Sequence, residues 1–209
     1  MPWWGWNRQQ QLGFPRGYHI EIGGGYEMPG IGSFSGIARR SGYGAALKQQ
    51  IREQYGSRVS FAGRGEMIPN ARSFCEIDPE TVDRFKIPVL RFHFAWSGHE
   101  LRQAQHMREV FTELITLMGG DPQSPASSRT APISIGGSII HEVGTVCMGD
   151  DPQQSALNGF CQAHDAKNLF VCDGGSFVSN PDKNPTLTIN ALAWRASEYL
   201  AEEMRSGNL

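Results

Sequence analysis

Pro88-Val89-Leu90-Arg91-Phe92-His93-Phe94-Ala95-Trp96 runs without a break into Ser97-Gly98-His99-Glu100, and this junction constrains the fold more than any other stretch of the chain. Leu90, Phe92, Phe94 and Trp96 fall on one side of a period-2 pattern and Arg91 and His93 on the other, as in a strand of an antiparallel sheet. Ser97 and Glu100 have the S-x-x-E form of a capping box, so the period switches from two to 3.6 at once. The helix that follows repeats Leu101, Ala104, Met107, Phe111, Leu114, Ile115 and Met118 before Gly119-Gly120 stop it. A chain that specifies both periods side by side is mixed, α+β (α/β) in class. Its 25 glycines and 12 prolines call for many turns and exclude a helical bundle.

Tyr18-His19-Ile20-Glu21-Ile22 alternates as a half-buried strand ended by Gly23-Gly24-Gly25. The triple glycine invites comparison with the phosphate-cradling G-x-G-x-x-G pattern. It fails at Met28, Pro29 follows, and no helical run with a ribose-binding acid comes after it. Leu47, Ile51 and Tyr55 mark a short amphipathic helix over 45–55 with Gly56 as its C-cap, and Arg58 to Ala62 reads as a strand. Asp121 to Ser128 is a Pro/Ser-rich loop or lid and a candidate domain seam. Leu169-Phe170-Val171-Cys172 is a continuous apolar run before Asp173-Gly174-Gly175-Ser176, the pattern of a strand buried on both faces in a parallel sheet.

A formal charge of -2 with no basic stripe gives no reason to expect a nucleic-acid partner. Cys75, Cys147, Cys161 and Cys172 form no CxxC pair, so reduced thiols are the expectation. His93, His99 and His106 lie across a strand, a turn and a helix and are not spaced as a metal set, and no metal site is expected. The start, Met-Pro-Trp-Trp-Gly-Trp-Asn-Arg, has no basic region followed by an apolar run, and no window is long and apolar enough for a membrane span. The expectation is a chain neither exported nor spanning a membrane by its own signals, cytoplasmic by default. Trp3, Trp4 and Trp6 could stack on a sugar or pack onto the body of the protein.

Two segments carry the chemistry. Asn184 is a favoured N-cap residue and Pro185 a favoured first helical residue, and Ile189, Leu192, Ala193, Ala196, Leu200 and Met204 trace an apolar face behind them. A helix N-terminus offers free N–H groups and partial positive charge to an anion or an electron-rich ring. Asn184 is a cap on this reading, and its amide can still donate to a substrate oxygen. His141, in His141-Glu142-Val143-Gly144-Thr145, does not complete an HExxH zinc pattern because residue 145 is Thr. It is either a structural histidine or a base for an alcohol proton. Asp173-Gly174 alone reads as a post-strand turn.

Together these segments resemble the glucose-methanol-choline (GMC) flavoprotein oxidoreductases. His141 to Gly149 is similar to that family's HxxGTxxMG segment, Asn168 to Ser176 to its NLxVxDxS strand, and Asn184-Pro185-Thr186 to its (N/H)PT helix start. Phe14 to Tyr18, Met28-Pro29-Gly30, Ile87 to Arg91 and His106-Met107 resemble the substrate-domain half more loosely. The resemblance implies an antiparallel substrate-binding region over 1–140 and a segment over 141–209 that completes an FAD-binding domain. It implies His141 and Asn184 as the catalytic pair on the hydroxyl of an alcohol or sugar, with hydride transfer to FAD. It also implies contacts to FAD from Asp173, Gly174, Pro185, Thr186 and Leu187. The family's N-terminal dinucleotide fingerprint is not found in this sequence, so the expectation is an incomplete enzyme that needs an FAD-binding half or partner subunit. The alternative is a catalytically silent remnant or a non-flavin binding subunit.

Overall fold

The computed structural model describes residues 9–24, 39, 43–54, 57–123 and 133–209. A short helix α1 (Gln9–Leu12) leads into β1 (Tyr18–Gly24), which is followed by α2 (Gly44–Gln54), β2 (Val59–Gly65), β3 (Phe74–Val82), β4 (Pro88–His93) and α3 (Gly98–Leu117). The C-terminal third is irregular apart from a 3-10 turn over Gly174–Ser176 and the long helix α4 (Thr186–Arg205). β1 pairs with β2 and β3 with β4, giving separate two-stranded antiparallel sheets.

Alternation builds the first sheet. Tyr18 and Ile20 are buried, and His19 and Glu21 take the other face. Tyr18 lies opposite Gly65 and Ile20 opposite Gly63 in the register. These glycines let α3 press onto the sheet: a Cβ at Gly65 would stand 1.7 Å from Gln103 Oε1, and one at Gly63 would stand 2.3 Å from Met107 Sδ. The core sits in that contact, where Phe14, Tyr18 and Ile20 meet Met107 and Val110. The Tyr18 hydroxyl pairs with His106 Nδ1 at 2.8 Å, and burial holds His106 below the usual histidine range.

α3 begins as its sequence demands. Ser97 Oγ accepts from His99 N at 3.1 Å, and Glu100 accepts from Ser97 N at 2.7 Å. Gly119, at φ +78°, takes the left-handed turn that ends it. The predicted strand over 88–96 is shorter, ending at His93, and β2 runs on past Ala62 to Gly65. Tyr55, Gly56, the triple glycine beyond Gly24, Met28-Pro29-Gly30, the N-terminal tryptophans and most of the Pro/Ser-rich loop lie outside the described residues.

Two expectations need correction. Leu169–Cys172 is not a parallel strand: Phe170 makes a single antiparallel bridge to Gln162, Val171 N donates to Cys161 O, and Leu169 is exposed. A continuous apolar run carries no period of its own, and tight turns on both sides leave this one without a ladder. Second, α4 opens at Thr186 with Pro185 in the cap position and no side-chain cap bond. Pro185 is already in the αR region and its carbonyl accepts from Ile189 N, so the start is set by proline's fixed φ rather than by an Asn184 cap.

The C-terminal third is tied to the first sheet. Met67 and Asn180 exchange backbone bonds at 3.0 and 3.3 Å, and His19 Nδ1 lies 3.2 Å from Asp182 Oδ2. α4 packs through Ala196, with Tyr199 stacked on Phe160 at 4.2 Å. Arg195 bonds to Gly159 O and lies over the Phe160 ring. No helix among the described residues is long and apolar enough to cross a membrane.

Candidate active site

The segment His141 to Gly149 is laced to the turn after residue 173. Gly144 N donates to Gly174 O at 2.9 Å, Val146 N to Gly175 O at 3.0 Å, and Met148 N to Ser176 O at 3.0 Å. Two motifs far apart in sequence therefore form one backbone unit. Gly174 is buried at its centre, where a Cβ would meet Val143 Cγ1 at 2.9 Å and Ile189 Cδ1 of α4 at 3.4 Å. That contact brings the first turn of α4 to the same place. Asp173 is exposed, and its Oδ1 accepts from Gly175 N at 2.7 Å, so the post-strand turn expected at 173–174 is present and capped by its own carboxylate.

His141 stands at the head of this unit with φ +84°, a conformation few non-glycine residues adopt. Its carbonyl accepts from Asn180 Nδ2 at 3.1 Å. Asn180 is the residue that bridges to Met67, so one side chain couples the histidine's backbone to the end of β2. Sequence reasoning missed Asn180, because its role is set by a tertiary bridge and by no local period.

His141 and Asn184 line the same cleft, about 1480 Å³ in volume, between β2 and α3 on one side and residues 133–142 and 180–184 on the other. Glu66 and Lys183 also line it. Pro185 is buried, whereas Thr186 and Leu187 are exposed at the mouth of α4. Ile189 N is the first amide of the helix bonded to a carbonyl of the chain, so the amides ahead of it are open to a ligand. The predicted site residues thus fall in two adjoining groups: His141 and Asn184 on the cleft, and Asp173, Gly174 and Pro185-Thr186-Leu187 around the junction of the 174–176 turn with α4.

Charge near the cleft is set by pairing and burial. Burial raises the Glu66 carboxyl above its usual range. Burial would do the same to Glu100, but the hydrogen bonds from Ser97 and Ile68 outweigh it and hold that carboxyl below its usual range. Among the described residues no group of three or more His, Cys, Asp or Glu is placed to hold a metal ion. His93 pairs with Glu76, His99 with Arg102 and His106 with Tyr18.

The chain is 28% identical to a 2-methyl-1,2-propanediol dehydrogenase of Mycolicibacterium austroafricanum, over 90% of this chain and 33% of that protein. It is 24% identical to the gluconate 2-dehydrogenase flavoprotein of Pantoea cypripedii, over 77% of the chain and 26% of the relative. It is 31% identical to paromamine 6'-oxidase of Streptomyces fradiae, over 60% and 22% respectively. The chain thus spans a third or less of the length of these relatives. The C-terminal GMC oxidoreductase family model matches residues 69–193, which include both laced motifs and the start of α4, and the chain belongs to the GMC oxidoreductases.

Proposed function

We propose that this chain is the substrate-binding and C-terminal portion of an FAD-dependent dehydrogenase or oxidase acting on a CH–OH group of an alcohol or sugar. In this reading 1–140 contributes the substrate-binding region and 141–209 completes the FAD domain and the active site. The observation that carries it is the sharing of one cleft by His141 and Asn184, next to the open first turn of α4. The His141 imidazole takes the hydroxyl proton of the substrate, and the Asn184 amide donates to the same oxygen and holds the carbinol in place. Bound FAD supplies the hydride acceptor. The residues present fit its ring, since the open amides at Thr186 and Leu187 favour an electron-rich edge. In this reading the exposed Asp173 carboxylate accepts from a cofactor hydroxyl. The partners are a small-molecule alcohol or sugar and an FAD-binding half or subunit, with no nucleic acid.

The test is visible absorption of the chain reconstituted with FAD and a dinucleotide-binding portion, after gel filtration. The expected result is a retained flavin band bleached by alcohols or sugars, and a His141→Ala variant that keeps the band but is not bleached. A colourless preparation, or a band that no alcohol or sugar bleaches, favours the other reading, a catalytically silent remnant or non-flavin binding subunit.

A further inference from the structure

We infer that His19 and Asn180 are positioning residues, which fix the proposed pair His141 and Asn184 by fastening the strap 180–185 to the first sheet. The inference rests on the oxidoreductase reading for what the pair does, and on the contacts of the strap for how the pair is held.

The strap has two anchors on the sheet. At the first, just past β2, Met67 N donates to Asn180 O at 3.0 Å and Asn180 N to Met67 O at 3.3 Å. At the second, the buried Asp182 meets β1: His19 Nδ1 lies 3.2 Å from Asp182 Oδ2, and Lys183 Nζ bonds to the same oxygen. A carboxylate only accepts, so the proton of the His19 contact sits on Nδ1. The His19 side chain is 12% exposed, and its other ring nitrogen faces Glu21 at 3.4 Å, which is bonded in turn to Arg64 of β2. The ring is thus held on the sheet where it reaches across to the strap. Pro181 and Pro185 fix φ on either side of Asp182, which leaves the strap little freedom between its anchors and α4.

Each anchor serves one member of the pair. With its backbone committed to Met67, Asn180 turns its side chain to His141, and Nδ2 donates to the His141 carbonyl at 3.1 Å. His141 is at φ +84°, a conformation that persists only where the surroundings hold it. The bond from Gly144 N to Gly174 O secures the chain three residues on, and Asn180 secures it at the histidine itself. Without Asn180 the 141–142 peptide is free to turn and to carry the imidazole with it. Asn184 is exposed and does not cap α4, so its place is set by Asp182 on one side and the buried Pro185 on the other. Placement matters because a displacement of about 1 Å at a reacting group can cost about 100-fold in rate.

The test combines NMR of the 209-residue chain, without flavin, with flavin bleaching in the reconstituted enzyme, using glycerol and methyl β-glucopyranoside as probes. Asn180→Ala and Asn180→Asp, the second of which keeps the shape and loses the donor, are expected to shift the His141 ring signals. His19→Ala is expected to shift the Asn184 side-chain amide signals. In the enzyme each of the three should slow flavin reduction at saturating probe about tenfold, while moving the half-saturating concentration less than about twofold. His19→Asn, which returns an N–H at the place of Nδ1, should come within about threefold of the wild-type rate, whereas His19→Leu, which only fills the space, should not. A merely structural role would move unfolding, followed by circular dichroism, without this split or this rescue. Asn180→Asp with wild-type ring signals and rate overturns the grip on His141, and His19→Leu as fast as His19→Asn overturns the grip on Asn184. Failure of the oxidoreductase reading shows separately, as a wild-type flavin band that neither probe bleaches, and the ring and amide signals then decide the positioning by themselves.

Discussion

At φ +84° the His141 backbone sits where a β-carbon is strained, and the Asn180 side chain holds its carbonyl in place. Stability and chemistry can therefore be separated at this one position. His141→Gly should be more stable than His141→Ala by about 1 kcal/mol, because glycine meets the left-handed φ without strain, and both variants lose the imidazole. Urea unfolding checks this, and equal midpoints would mean that the turn relaxes when the side chain goes. Gly174 poses the opposite problem. With Val143 Cγ1 2.9 Å from its absent Cβ, Gly174→Ala should cost about 1–3 kcal/mol and loosen the Gly144–Gly174 bond, which amide exchange at Gly144 would report. Exchange at Gly144 as slow as in wild type would show that the lacing tolerates a side chain. His141, Gly174 and Asn184 were legible in the sequence because they lie in motifs with fixed order and spacing. Asn180 was not, since what it does comes from its bridge to Met67, which no local pattern announces.

Among the elements, α3 was the most legible because a capping box writes its start into four residues. The structure adds that Glu100 is buried and also accepts from Ile68 N at 3.2 Å, so the box ties the helix to the segment after β2. Ser97→Ala should cost about 1 kcal/mol in thermal unfolding, the usual loss of a cap. The pH dependence follows from the lowered Glu100 carboxyl. With its folded pKa below the unfolded value, its stabilisation is present above about pH 4.3 and is lost as pH falls through the folded value. Glu100→Gln should therefore be less stable than wild type at pH 7 and approach it as pH falls through the folded value, and a gap independent of pH would refute the ionic part of the argument. β3 shows why other elements were not legible. Pro79 interrupts its run, and the register with β4 shifts between Ile77 and Val82, so alternation is broken where a reader would look for it. The start of α4 was displaced for a related reason: Asn and Pro both favour that position, and the proline decided it.

Over the whole molecule, the two faces of the β3–β4 hairpin are unequal. One carries Glu76 paired with His93 and Asp78 paired with Arg91, each at 2.9 Å, and satisfies itself. The other sets Ile77 opposite Leu90 and Cys75 opposite Phe92, and Ile77 and Phe92 are 67% and 66% exposed. The alternation that identified this strand is real, yet on its apolar side Ile77, Leu90 and Phe92 stay exposed, whereas the same pattern in β1 seats Tyr18 and Ile20 under α3. Period therefore predicted which residues share a face and left open whether that face is buried. An exposed apolar stripe on a twisted hairpin should bind a dye that reports apolar surface and promote self-association. Ile77→Thr with Phe92→Thr should lower dye binding and concentration-dependent association in sedimentation, while shifting unfolding by no more than about 1 kcal/mol, since threonine suits a strand and neither residue sits in the core. Dye binding undiminished in the double variant would place the apolar surface elsewhere. A loss of stability much beyond that bound would show that the stripe is packed against something in solution, and the hairpin would then have to be counted as part of the core.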